Sequence, residues 1–257
     1  MRILRCLYSL WCVGWFLGLF LLLFPFFWLF LQKEAWKPKA HFLNRLWARL
    51  YFPVCGLPVQ IVYHEQLNPN QPCVFCANHT SYLDIALMGL VVQHYFAFIG
   101  KSSLLRIPLF GYMFRHLHLS VDRSSRVKSH QAFQRALQTL SEGRSLVVFP
   151  EGGIYTNQAP ALAPFKDGPF RMAIERQVPL VPITFPYNWK VLPDDGRLRF
   201  SRHRLKAIVH PPLPTQGLTL ADVDALKHQT YTIIETELRR HEDAWSQPSQ
   251  SGQAFSP

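Results

Sequence analysis

The stretch Cys73-Val74-Phe75-Cys76-Ala77-Asn78-His79-Thr80-Ser81-Tyr82-Leu83-Asp84 decides the fold. Its first five residues form an apolar run of strand length, and an amphipathic segment of helical length follows from Tyr82 to Val92. Between them lies a polar turn that carries a histidine, two hydroxyls and a carboxylate. Reactive side chains become accessible where a strand of an α/β sheet gives way to a helix, so this turn is the first place to look for chemistry.

The same alternation continues on both sides. Further strands are predicted at Val59 to Tyr63, Tyr95 to Ile99, Leu117 to Val121, Ser145 to Phe149, Leu180 to Phe185 and Leu205 to His210. Helices are predicted at Ser125 to Glu142, with Val127, Phe133, Leu137 and Leu140 on one face, at Phe170 to Arg176 and at Thr219 to Arg240. Short apolar runs alternating with longer amphipathic ones argue for an α/β domain, here a mixed sheet flanked by helices.

Upstream, no charged residue occurs from Cys6 through Gln32, and the segment is rich in Leu, Phe and Trp. Such a run is long enough to cross a hydrocarbon core of about 30 Å. No small-x-small cleavage site follows it, so it reads as a retained anchor rather than a secretory signal. Arg2 and Arg5 precede the run whereas Lys33, Lys37, Lys39, Arg45 and Arg49 follow it, a bias that places the downstream chain in the cytoplasm. Pro25 leaves two alternatives, a kinked single helix or the tip of a hairpin in which Phe26 to Leu31 return to the same face. Within His41 to Phe52, residues Phe42, Leu43, Leu46, Trp47 and Leu50 fall on one helical face beside Arg45 and Arg49. That face fits either the membrane interface or the surface of the following domain.

The chain has 257 residues, 49 % of them hydrophobic, enough for one large core. With 27 Lys and Arg against 16 Asp and Glu, its net charge of +11 attracts an anionic partner, nucleic acid or lipid. No basic helix or stacking motif accompanies the charge, and with the anchor this argues against nucleic acid. The five cysteines are unevenly spaced and make no disulfide framework. Cys73-x-x-Cys76 has no second pair to complete a zinc site, so these read as small buried thiols in a reducing, cytosol-facing domain. From Ser246 to Pro257 the composition of Ser, Gln and Pro predicts a disordered tail.

Four constellations carry possible chemistry. His79 and Asp84 are spaced so that a carboxylate in the first helical turn folds back on the imidazole and fixes its tautomer, the makings of a general base; helix capping by Thr80 or Ser81 is the plainer alternative. Phe149-Pro150-Glu151-Gly152-Gly153 also follows a strand, and its glycines permit close approach of a ligand, with Glu151 in reach of a hydroxyl. Lys101 and Arg123 follow two strand ends, and two cations on one sheet edge suit a phosphate. Last, the prolines of Val178-Pro179-Leu180-Val181-Pro182 suggest an edge strand or a groove wall.

In this order the four pieces resemble the lysophospholipid acyltransferase family, of the 1-acylglycerol-3-phosphate acyltransferase type: His-x4-Asp, a Lys to Asp-Arg block, Phe-Pro-Glu-Gly, and a Val-Pro-x-x-Pro strand. The resemblance spans roughly Gln71 to Phe185. With the apolar segment and the tail read above, the chain divides into membrane-anchoring helices at 1–52, an acyltransferase domain at 53–243 and a disordered tail at 244–257. The resemblance implies that His79 deprotonates an acceptor hydroxyl and Asp84 orients it, that Lys101 and Arg123 bind the acceptor's phosphate, and that Glu151 and Gly152 shape the hydroxyl and oxyanion site. It further implies acyl-CoA or acyl carrier protein as co-substrate, a membrane lipid as acceptor, no metal, no resident cofactor and no acyl-enzyme, so that Ser81 is not a nucleophile. One departure bears on the acceptor: family members acting on 1-acylglycerol 3-phosphate commonly continue with Thr-Arg, where this chain has Gly153-Ile154. A lyso-aminolipid acceptor is therefore the alternative, and a non-catalytic membrane-binding protein the alternative of another class.

Overall fold

The computed structural model describes residues 2–122, 125–155 and 160–246. Seven strands, β1 (Val59–Tyr63), β2 (Val74–Ala77), β3 (Phe96–Lys101), β4 (Leu119–Val121), β5 (Ser145–Val148), β6 (Leu180–Thr184) and β7 (Leu205–Val209), form one sheet in the order β1-β7-β6-β2-β5-β3-β4. Every neighbouring pair is parallel except β6 with β7. β2, β5 and β6 are buried at every residue, the signature of parallel strands covered on both faces. Since β2, β3, β4, β5 and β6 run the same way, their carboxyl ends, and the loops after them, share one edge.

Alternate residues of β2 serve two cores. Phe75 and Ala77 join Phe27, Trp47, Tyr51, Leu87 and Phe185 on one side. Val74 and Cys76 join Ala136, Leu140, Phe170, Ile174 and Ile234 on the other. The first layer is α1 (Arg2–Phe30), α2 (Lys37–Val54) and α3 (Leu83–Val91); the second is α5 (Arg126–Ser141), α6 (Gly168–Arg176) and α8 (Val223–Ser246). In sequence α4 (Phe110–Leu117) lies between the two groups and the short α7 (Asn188–Val191) between α6 and α8, neither expected. All five cysteines are free, and all but Cys6 are buried.

Three expectations change. The helix α1 runs unbroken through Pro25, so the chain turns back not there but at residues 31–36, where α2 begins. Pro25 removes one backbone donor, yet Leu23 and Phe27, buried on either side of it, hold the helix in line. The expected apolar face of α2 is split: Leu43 and Trp47 are buried together with Ala40, Ala48 and Tyr51, while Phe42 and Leu50 face outward. Burial follows the close approach of α2 to α3, where Gly89 leaves only 3.5 Å between its missing Cβ and the Asn44 carbonyl oxygen. Finally, β6 is interior, flanked by β7 and β2, despite its proline. Pro182 stands at the end of the short antiparallel ladder, where its carbonyl accepts from the His210 N–H at 3.0 Å and only the reciprocal bond is lost.

Candidate active site

The turn after β2 is organised around one carboxylate. Asp84, wholly buried, accepts at Oδ2 from the backbone N–H of Thr80 (2.8 Å) and of Ser81 (2.9 Å) and lies 2.9 Å from His79 Nδ1. Its Oδ1 accepts from Asn188 Nδ2 at 2.7 Å. The N-cap of α3, Tyr82, offers no side-chain bond; Ser81 Oγ, one residue earlier, accepts from the Leu83 N–H at 3.2 Å, so the capping role and the tie to Asp84 coexist in one turn. A carboxylate facing Nδ1 fixes the proton there, which leaves Nε2 with the lone pair of a base.

The ring of His79 is fixed from two further directions. It stacks on Phe149 with centroids 3.9 Å apart and planes within 13°. Its own backbone N–H donates to Glu151 Oε1 at 2.7 Å, while Glu151 Oε2 accepts from the Ala163 N–H at 2.9 Å. Glu151 thus ties the turn after β2 to that after β5 and to residue 163. Burial raises its pKa to about 7, outweighing the two amide donors, which act in the opposite direction. Gly152 has a φ of 84°, the left-handed region that a side chain would strain, and its N–H closes the turn on the Phe149 carbonyl at 3.0 Å.

Of the residues singled out from sequence, His79, Asp84, Glu151 and Gly152 come together. Lys101 ends β3 on the same edge, exposed, two strands from β2 and hence about 10 Å along the sheet. Arg123 lies outside the described residues. Ser81 directs its hydroxyl to the Leu192 carbonyl at 2.7 Å.

Sequence reasoning missed two asparagines. Asn78 pairs with the Phe185 backbone in both directions, its Nδ2 to the carbonyl at 3.0 Å and the Phe185 N–H to its Oδ1 at 2.7 Å, locking the ends of β2 and β6 together. Asn188 reaches Asp84 from a helix 104 residues away in sequence, and no local pattern marks it.

An imidazole oriented by a buried carboxylate at the carboxyl edge of an α/β sheet has the geometry of a general base, and fits the class of enzymes which activate a hydroxyl or water for attack on an acyl or related carbon. Residues 58–186 match the family model described as Acyltransferase, and the chain belongs to that family. It is 31 % identical over 186 residues to an uncharacterized acyltransferase of Schizosaccharomyces pombe, covering 72 % of this chain and 66 % of that one. To the 1-acyl-sn-glycerol-3-phosphate acyltransferase of Haemophilus influenzae it is 31 % identical over 196 residues, 76 % of this chain and 79 % of the relative. It spans 66, 59 and 50 % of the length of three of the curated relatives it matches. The crystal structure of the 1-acyl-sn-glycerophosphate acyltransferase PlsC from Thermotoga maritima superposes with a TM-score of 0.77 at 21 % identity, over 97 % of this chain and 99 % of that one, a likeness of fold.

Proposed function

We propose that the protein transfers a fatty acyl group from a thioester, acyl-CoA or acyl carrier protein, to the free hydroxyl of 1-acyl-sn-glycerol 3-phosphate, giving phosphatidic acid. The observation that carries this reading is the Asp84-oriented His79 in a chain of the acyltransferase family. Nε2 of His79 takes the hydroxyl proton as the oxygen attacks the thioester carbonyl. The tetrahedral intermediate then collapses, the C–S bond breaks, and the imidazolium returns the proton to the departing thiolate. Asp84 stabilises the imidazolium between the two steps. The thioester brings the activated acyl group, so the reaction needs no resident cofactor. Lys101 and Arg123 are the cations assigned to the phosphate, and relatives named for 1-acyl-sn-glycerol-3-phosphate support an acceptor that carries one.

The second reading, a lyso-aminolipid acceptor, is favoured by Ile154, which stands where an arginine would offer another phosphate contact. Purified full-length protein assayed against a panel of lysolipids, with both donors, separates the two. Preference for the phosphomonoester is expected; acylation of a lyso-aminolipid with 1-acylglycerol 3-phosphate ignored would overturn the phosphate role of Lys101 and Arg123.

For the membrane, the reading assigns residues 1–52 to lipid contact and 53–243 to catalysis on the cytoplasmic face. The helix α1 is apolar enough to span, with a mean hydropathy of 2.2 over 18 residues. It is also tied to the rest of the chain along its length: Arg5 to Ser201 (2.7 Å), the Phe200 N–H to Ser9 (2.9 Å) and Gln32 to Tyr112 (3.0 Å). A helix held at both ends against the domain supports a disposition along the membrane surface, with Leu7, Leu10, Trp11, Leu21, Leu22 and Trp28, all at least half exposed, in the lipid.

A further inference from the structure

Between β3 and α4 the chain reads Ser102-Ser103-Leu104-Leu105-Arg106-Ile107-Pro108-Leu109. Arg106 through Leu109 are exposed, Ile107 at 47 % and Leu109 at 40 %. The backbone beneath them is closed. The Ile107 N–H donates to the Leu104 carbonyl (3.3 Å), Gly111 to Ile107 (2.7 Å) and Met113 to Leu109 (3.1 Å). Gly111 permits the fold-back, because a Cβ there would run into the Leu105 carbonyl. Leu109 has φ 59° and ψ −50°, a conformation that a bulky residue rarely adopts. The segment is therefore a built turn that holds two apolar side chains in the open and stores strain in doing so.

Three observations select what covers it. The turn adjoins α1 at the half-buried flank that borders its outward apolar face: Phe110 lies 6.3 Å from Phe20 and Tyr112 lies 6.3 Å from Phe24, centroid to centroid, beside the Gln32 to Tyr112 hydrogen bond. No acidic residue occurs between Asp84 and Asp122, whereas Lys101, Arg106 and Arg115 are exposed around the turn. And Lys101 ends β3 at the carboxyl edge that holds His79.

We propose that residues 104–109 are a second lipid-contacting element, a rigid wedge that seats Ile107 and Leu109 in the headgroup and acyl boundary of an anionic bilayer, with Arg106 and Arg115 at the phosphates. Together with α1 it sets the catalytic edge at a fixed height, so that an acceptor whose chain stays in the bilayer brings its hydroxyl to His79. This rests on the membrane reading of α1 given above.

The test uses full-length protein on vesicles of phosphatidylcholine and phosphatidylglycerol. A nitroxide is placed on Ile107→Cys in a Cys6→Ser background, since Cys6 is the exposed native thiol. On vesicles the label should become accessible to oxygen and shielded from a water-soluble nickel chelate. Ile107→Ser with Leu109→Asn, asparagine being tolerant of positive φ, should lower turnover of a vesicle-embedded acceptor about tenfold while a monomeric short-chain acceptor stays within about twofold. Ile107→Ser alone, at an ordinary φ of −75°, should give a smaller loss of the same kind. Equal losses on both acceptors, or a label that remains open to the chelate, would overturn the wedge. A variant that changes oligomeric state in detergent would also overturn it, by showing a protein partner there. Brominated-lipid quenching of Trp11 and Trp15 on α1 reads the membrane assignment separately: quenching there without shielding at residue 107 sinks the wedge alone, and neither signal sinks both.

Discussion

The two halves of the catalytic edge are built differently. At the ends of β2 and β5 every carboxylate oxygen of Asp84 and Glu151 has a donor within 2.9 Å, and both groups are buried. At the ends of β3 and β4, Lys101 is exposed, and Asp122 pairs with the exposed Lys128 at 2.9 Å. On the proposed function, the difference follows from what each half would have to do. Proton transfer requires a base held within a few tenths of an ångström in one tautomer, which buried carboxylates with a donor on every oxygen supply. A phosphate is a large, diffuse anion that long cationic side chains can meet from solvent, at the expense of strength and with sensitivity to salt.

The largest effect should come from the base itself. His79→Ala is expected to lower turnover at least about 100-fold and up to about 10⁴-fold, with the circular dichroism spectrum unchanged, and Asp84→Asn should follow it. Near-normal turnover in a folded His79→Ala protein would erase the functional contrast between the halves.

Glu151→Gln tests whether the buried half depends on its second carboxylate as well. An amide offers one acceptor where two backbone N–H groups need one each, and an unsatisfied buried donor costs about 1–3 kcal/mol, so turnover should fall roughly tenfold to a hundredfold. The same residue carries a pH signature. A carboxyl with a pKa of about 7 when folded and 4.5 when unfolded binds its proton more tightly in the native chain. Its contribution to stability is therefore complete below pH 4.5 and is lost as pH rises through 7. Melting temperature should accordingly fall between these limits by more in the wild type than in Glu151→Gln; parallel profiles would refute the assignment.

Lys101→Ala should give the smallest change, a rise in KM for 1-acylglycerol 3-phosphate of roughly threefold to tenfold with kcat little altered, shrinking as salt is added. A loss in kcat as large as that of Glu151→Gln would show that the exposed half is as tightly organised as the buried one.

What was legible in the sequence is whatever local pattern dictates. Apolar runs of strand length became β2, β5 and β6, because a strand covered on both faces has no polar residue to interrupt it. His79 and Asp84 could be paired on paper because a carboxylate at the start of a helix can fold back on the turn before it, and Glu151 was noticed because it follows a strand. Contacts made across long stretches of chain were decided only by tertiary structure. Asn188 donates to Asp84 from 104 residues away, and Glu151 binds the backbone of His79 across 72. Pro182 suggested an edge strand, yet the sheet closed around it because only one bond at the end of a short ladder was lost. Likewise Phe42 and Leu50 share an apolar stripe with Trp47 in sequence, but the side of α2 that was buried depended on where Gly89 let α3 approach. Periodicity records which residues avoid water, whereas the partner that shields them is chosen by packing.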